Sequence, residues 1–142
     1  MANKVGYAVH ITPGRYLATH ETDLSVFEIR NLLDCDCFEV VHLPRFPLPG
    51  IVMLVDESGK CKEKSVNPIA SVLYAAGCDY IAGDALLVKL VYIPGDGMDI
   101  APLDAKEAEI VSGLVSMTVG AFLADEIKNS AQSAEEGGHK HA

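Results

Sequence analysis

The chain has 142 residues, of which 49% are hydrophobic and 22% charged, and this balance excludes a disordered protein. Its formal net charge is −9 and its 11 Lys and Arg residues are scattered, so it lacks the basic stripe that direct nucleic-acid binding requires. The first residues, MANKVGYAVHI, do not resemble a signal peptide, so we expect a cytoplasmic protein with reduced cysteines.

The first part of the chain predicts two strands, a helix and two further strands. Alternating residues predict a strand at 5–11, and the Thr12-Pro13-Gly14 turn predicts a hairpin with a second strand at 15–19. Thr22 and Asp23 are candidate caps of a helix at 24–33. The segments 38–43 and 51–55 are the next predicted strands.

The segment from Asn67 to Lys89 contains signals for a helix, a turn and a buried strand. Asn67 is a natural N-cap, Pro68 suits the first helical position, and Gly77 can end the helix. Residues 85–93 are almost continuously apolar, which predicts a central strand of the sheet. The following Pro94-Gly95-Asp96-Gly97 is interpreted as a loop.

The last element is a long helix at 104–129, begun by a capping box of Asp104 and Glu107. It has no charge from Ile110 to Ala124, a stretch shorter than the roughly 18–20 residues of a membrane span. A helix that is apolar all round needs covering on several sides, so we expect a homo-oligomer interface here rather than simple core burial. The predicted interface residues are Ile110, Gly113, Leu114, Met117, Gly120 and Phe122.

These elements predict an α+β fold with a small mixed or antiparallel sheet. Their order, ββαββαβ, is β-grasp-like and is followed by the long apolar helix, with a ferredoxin-like arrangement as the alternative. The predicted divisions are a core domain at 1–103, the helix at 104–129 and a polar, Gly-rich tail at 130–142 that we expect to be disordered.

The sequence contains no recognisable catalytic constellation. Cys35 and Cys37 alternate with aspartates in DCDC, but zinc sites usually need a second close pair, so we expect no metal and no cofactor. The histidines at 10, 20 and 42 are isolated in the sequence.

Three polar residues flank the predicted helix after residue 67. Asn67, Asp79 and Asp84 could line a groove that binds a polar ligand, with Arg15 as a candidate cation. The alternative is structural, because Gly83-Asp84 directly before a strand is typical of a tight turn.

Four segments, in order, resemble a known family. They are FEVVHL, LVDESGK, NPIASVLY and DYIAGDALLVK, and the similarity covers about residues 11–101. The family is the uncharacterised domain of unknown function 3846, carried by phages, plasmids and integrated mobile elements of bacteria. The resemblance offers no catalytic residues that can be carried over to this chain. It implies an accessory gene of a mobile element, often near antirestriction functions.

Three functional hypotheses follow. The first is a non-enzymatic phage or mobile-element accessory protein that counters host defence, by sequestering a small nucleotide-like signal or by binding a host defence protein. An anionic signal would need local positive charge from residues such as Arg30, Arg45 or the Lys60-Lys62-Lys64 run, although such lysines also suit an edge strand. The second is a small enzyme acting on a polar metabolite through Asp84 or Cys37. The third is a regulatory or structural partner of another mobile-element protein.

Overall fold

Antiparallel strands form one six-stranded sheet in the computed structural model, which describes residues 5–14, 16–74 and 79–121. The strands are β1 (Gly6–Ile11), β2 (Leu17–Thr22), β3 (Phe38–His42), β4 (Ile51–Asp56), β5 (Ala85–Ile93) and β6 (Gly97–Ala101). Their order is β2-β1-β5-β4-β3, and β6 pairs with the second half of β5. The predicted α+β class is confirmed. The alternative ferredoxin-like order is not formed, because β2 follows β1 directly as a hairpin.

Helices cover both faces of the sheet. They are α1 (Val26–Leu33), α2 (Pro68–Tyr74) and α3, which is described from residue 105 to 121. One apolar cluster joins α1 to the sheet through residues such as Ile29, Leu54 and Leu86. A second cluster joins α2 and α3 to the opposite face, including Leu73 and Val111. The sheet is therefore the middle layer of three.

The strands β4 and β5 lie at the centre, as the apolar sequence of β5 predicts. All six residues of β4 and the first four of β5 are buried. Successive side chains of a strand point to opposite faces, so a strand with helices on both faces is apolar at every position.

Three elements differ from the prediction by more than one residue. Leu24 has a left-handed backbone (φ 55°), so α1 begins at Val26 and its cap is Ser25, whose hydroxyl accepts from the Glu28 N–H. The strand β2 covers Leu17–Thr22 rather than 15–19. The segment after residue 93 was predicted as loop only, but it turns through residues 94–96 and returns as β6.

The helix α3 begins with the predicted capping box. The Asp104 carboxylate accepts from the Glu107 N–H at 2.7 Å, and the Glu107 carboxylate accepts from the Asp104 N–H at 3.0 Å. Its residues Ala108, Val111 and Val115 are buried against the sheet. One face of α3 therefore belongs to the core of this chain. The part of the predicted helix beyond residue 121 and the predicted tail at 130–142 lie outside the described residues.

Among the described residues, no helix combines the length and the apolar character needed to cross a membrane.

Candidate functional site

Asn67 joins three segments of the chain from a position that has no exposed surface. Its Oδ1 accepts from the Ala70 N–H at 3.1 Å, which confirms the predicted N-cap of α2. Its Nδ2 donates to the carbonyl oxygens of Ile11, at 3.0 Å, and Gly83, at 2.9 Å. Both the oxygen and the nitrogen of the amide therefore make hydrogen bonds inside the protein, and Asn67 does not line an open groove.

The second of those carbonyls belongs to the turn that presents Asp84. Gly83 has φ 88°, and a Cβ there would lie 2.9 Å from Lys64 Cδ, so both its conformation and its surroundings favour glycine. From this turn, Asp84 Oδ2 reaches His10 Nε2 at 2.8 Å. The carboxylate thus contacts a residue 74 positions earlier in the chain.

His10 in turn contacts His20 on the neighbouring strand. His10 Nδ1 and His20 Nε2 lie 2.9 Å apart, and the ring centroids are separated by 4.9 Å. A carboxylate can only accept, so neutral His10 carries its proton on Nε2 and accepts at Nδ1 from the Nε2–H of His20. We call Asp84, His10 and His20 the histidine cluster. Burial, and then the repulsion that two protonated rings would exert on each other, lower the pKa of His20 below its ordinary value.

A second polar region lies on the opposite face of the sheet, where a cavity of about 150 Å³ opens beside Tyr80. We call it the Tyr80 cavity. Its polar or aromatic lining residues are Glu39, Asp56, Glu57, Lys60, Tyr74, Asp79 and Tyr80.

The ammonium group of Lys60 organises one wall of this cavity. It lies 4.7 Å from the centroid of the Tyr80 ring and donates to the Asp79 carboxylate. This hydrogen bond raises the pKa of Lys60 and lowers that of Asp79. The wall therefore already holds a cation between an aromatic face and a carboxylate.

The remaining charges of the Tyr80 cavity are mostly negative. Glu39, Glu57 and Asp79 line it, and Lys60 supplies positive charge. Asp56 is neutralised separately, since Lys62 and Lys64 both contact its carboxylate. The cavity favours positive charge over the phosphates of a nucleotide.

The residues predicted to bind ligand are thus distributed over different places. Asp79 lines the Tyr80 cavity, Asp84 belongs to the histidine cluster, and Asn67 is buried. Arg15 lies outside the described residues. The structure does not assemble Asn67, Asp79 and Asp84 into one groove.

The predicted interface residues lie mainly on the outer face of α3. Ile110 and Met117 are 43% and 72% exposed, and Gly113 and Gly120 are also exposed. Leu114 is half-buried and packs on the core, and Phe122 lies outside the described residues.

Cys37, a candidate reactive group in the enzyme hypothesis, is exposed, and neighbouring Cys35 is buried. Burial, reinforced by the negative charge of Asp56, raises the pKa of the Cys35 thiol.

Sequence reasoning did not bring His10 and His20 together, although a signal was present. The β1–β2 hairpin pairs His10 with Ala18 and Ala8 with His20. The two histidines are therefore diagonal neighbours on one face of the hairpin. The predicted turn at Thr12-Pro13-Gly14 could have indicated this pairing, but only with the correct register.

Comparison of the chain with family models, curated proteins and solved structures finds no match. The resemblance to the phage and mobile-element family stays a prediction. Within residues 5–14, 16–74 and 79–121, no group of three or more His, Cys, Asp and Glu side chains is arranged to hold a metal ion.

Proposed function

We propose that this chain is a non-enzymatic binding protein that takes a small, positively charged polar ligand in the Tyr80 cavity. One observation carries the proposal: the cavity wall already holds the Lys60 ammonium between the Tyr80 ring and Asp79. A ligand ammonium that displaced Lys60 would find the same two partners, and aromatic faces with a nearby carboxylate are a general means of recognising such cations.

The size and charge of the cavity restrict the ligand. At about 150 Å³, the cavity is smaller than the roughly 300–1,000 Å³ typical of drug-sized ligands, so it suits a small molecule or a single cationic group. An intact nucleotide would bring phosphates close to Glu39, Glu57 and Asp79. Of the small signals that a counter-defence protein could sequester, the cavity therefore favours an amine-bearing one.

This proposal keeps the setting that the family resemblance implies. In a phage or mobile element, a non-catalytic protein of this kind would act as an accessory protein that removes a small signal used by host defence. Binding a host defence protein is the other mode of the same hypothesis, and the exposed side chains of α3 are the surface that would serve it.

The outer face of α3 also supports a proposal of self-association. Gly113 and Gly120 have open space where a Cβ would stand, so nothing in the described chain requires glycine there. Glycine in a helix interior costs about 1 kcal/mol relative to alanine, which a close external contact could offset. Light scattering at micromolar concentration tests this: we expect an oligomer that Met117→Glu dissociates, and a monomeric wild type would contradict it.

The ligand proposal is tested by calorimetric titration with choline and putrescine as cationic probes and AMP as an anionic probe. We expect Tyr80→Ala to weaken choline binding roughly fivefold, the value of a cation–π contact at an exposed site. Asp79→Asn should weaken binding of both amines. Asp96→Asn, an exposed acid in the β5–β6 turn, is the matched control and should bind as wild type does.

The variant Lys60→Met distinguishes a cationic ligand from an anionic one. If Lys60 occupies the place of the ligand cation, its removal frees Tyr80 and Asp79, and the affinity for choline should rise. If Lys60 instead contacts an anionic ligand, AMP should bind the wild type and lose affinity in Lys60→Met. The second result, or an absence of amine binding by both proteins, would overturn the proposal.

A further inference from the structure

The histidine cluster lies in a different part of the molecule from the Tyr80 cavity and carries an independent inference. We propose that His10 and His20 form a site for one divalent transition-metal ion of the kind that accepts imidazole, namely Cu²⁺, Ni²⁺ or Zn²⁺. In this proposal, Asp84 is the outer partner that orients His10.

The spacing of the two facing nitrogens suits a shared ion. His10 Nδ1 and His20 Nε2 lie 2.9 Å apart, and their ring planes are inclined at 51°. Because metal–imidazole bonds measure about 2.0–2.1 Å, two neighbouring ligands on one ion lie roughly 2.9 Å apart at a right angle and about 3.4 Å apart in a tetrahedron. The observed separation is that of the hydrogen bond from His20 to His10, and it also fits two ligands at a right angle, the geometry that Cu²⁺ and Ni²⁺ prefer.

Asp84 prepares His10 for this role. Its carboxylate accepts the Nε2–H of His10 at 2.8 Å, which leaves the lone pair of Nδ1 directed at His20. Metal-binding histidines generally donate their other ring N–H to a carboxylate or carbonyl in this way. When the ion binds, neutral His20 moves its proton from Nε2 to Nδ1, so both facing nitrogens become ligands without net proton release.

The surrounding structure holds these groups in place. The buried Asn67 amide donates to the carbonyls of Ile11 and Gly83, which are the residues next to His10 and Asp84. The strand pairing fixes His20 beside His10, and the residues opposite the two histidines are the small Ala8 and Ala18. The site is therefore built on paired strands and a buried hydrogen-bonded amide rather than on a free loop.

The inner sphere has two protein ligands, because Asp84 lies on the far nitrogen of His10. Water completes the coordination, since the side chains of His10 and Asp84, 12% and 32% exposed, leave the cluster partly accessible to solvent. The net charge of −9 also attracts cations in general. Cu²⁺ forms the strongest complexes of these divalent ions, so it is the probe of choice.

The test uses the full chain with His139→Ala and His141→Ala, which removes the two tail histidines as competing ligands. We expect one Cu²⁺ per chain by calorimetry, and an electron paramagnetic resonance spectrum with hyperfine structure from two imidazole nitrogens. Adding His20→Ala should abolish the two-nitrogen pattern. His42→Ala, an exposed histidine on β3, is the matched control and should leave the pattern unchanged.

Asp84→Asn distinguishes a built site from a chance pair of histidines. An outer partner of a metal ligand typically contributes about 10–100-fold in affinity, so this variant should bind Cu²⁺ more weakly by that factor while keeping both nitrogen ligands. Circular dichroism monitors folding, and His20→Gln replaces His20→Ala if the latter is unfolded. Unchanged copper binding in the folded His20 variant, or none in the parent protein, would overturn the proposal whatever the outcome of the amine titrations.

Discussion

Two clusters of lysine and aspartate, whose lysines all come from the loop between β4 and α2, differ sharply in their environment. In the first, the Asp56 side chain is 1% exposed and contacts both Lys62, at 3.1 Å, and Lys64, at 2.8 Å. In the second, Lys60 and Asp79 are 45% and 46% exposed beside the Tyr80 cavity. The pairing of residue types is the same, but only in the first cluster is the carboxylate shielded from water.

The first cluster, formed by Asp56, Lys62 and Lys64, connects three parts of the fold. The Lys64 ammonium also donates to the carbonyl oxygens of Leu33 and Asp34 at the end of α1. Asp56 lies at the end of β4, and its Oδ1 accepts from the Ser58 N–H at 2.9 Å. These contacts fasten the loop to the strand and to the helix.

The difference between the clusters indicates how charge is used in this protein. A charge without access to water needs its partners, because leaving it unpaired costs several kcal/mol. An exposed pair contributes little to stability and can exchange its partner for a ligand. We therefore expect buried polar groups to control unfolding and exposed ones to control binding.

The largest effect on stability is expected at Asn67, which has no exposure at all. Asn67→Ala removes the α2 cap and leaves the carbonyls of Ile11 and Gly83 without their donor, which together should cost roughly 4 kcal/mol. Urea unfolding measures this loss. Asn31→Ala, an exposed asparagine on α1, is the control and should unfold with the wild type. A small loss of stability in Asn67→Ala would show that burial of a polar group does not decide its contribution to stability in this protein.

The second-largest loss of stability is expected at Asp56. At pH 7, Asp56→Ala should cost about 3 kcal/mol by breaking a buried ion pair, whereas Glu57→Ala, which removes the adjacent exposed acid, should cost far less.

The loss at Asp56 should also depend on pH. Burial raises the pKa of Asp56, but the hydrogen bonds from Lys64, the Ser58 N–H and Lys62 outweigh it, so the pKa lies below its ordinary value. A carboxyl whose pKa is lower in the folded state stabilises the fold above its unfolded pKa of about 3.9 and loses this contribution as the pH falls through its folded pKa. The difference between wild type and Asp56→Ala should therefore shrink below about pH 4. A difference that is constant from pH 7 to pH 3 would contradict this assignment.

The smallest effect on stability is expected for Asp79→Asn, the same variant that should bind both amines more weakly. Its pKa is lowered by the hydrogen bond from Lys60, but both side chains are well exposed, so water and salt screen their attraction. We expect an unfolding midpoint equal to that of the wild type. A large destabilisation here would make Asp79 structural and would remove the contrast between the two clusters.

Much of the fold could be predicted because its signals are local. Asn67 caps α2 and the Asp104–Glu107 pair begins α3, since a cap needs only a polar side chain a few residues from the free N–H groups. The strand β6 was missed because the sequence GMDIA has little apolar alternation. Its pairing depends on the turn at residues 94–96 and on the second half of β5, which β1 does not reach.

The candidate sites were less predictable because each depends on contacts between distant segments. Asp84 was singled out as a polar residue near α2, yet its contact to His10 joins the start of β5 to the end of β1. Asp79 was singled out with it, but its carboxylate accepts from Lys60 and from the Tyr80 N–H on the other face of the sheet.

The sequence by itself determined the α+β class, the caps of two helices and the central, fully apolar strand. Helix caps and the spacing of apolar residues depend on residues that are close together in the sequence, so they can be recognised without coordinates. Only the tertiary structure decided which polar residues meet, because that depends on strand register and on which face each helix covers. It placed His10 against Asp84, buried the Asn67 amide between the carbonyls of Ile11 and Gly83, and gave one side of α3 to the core.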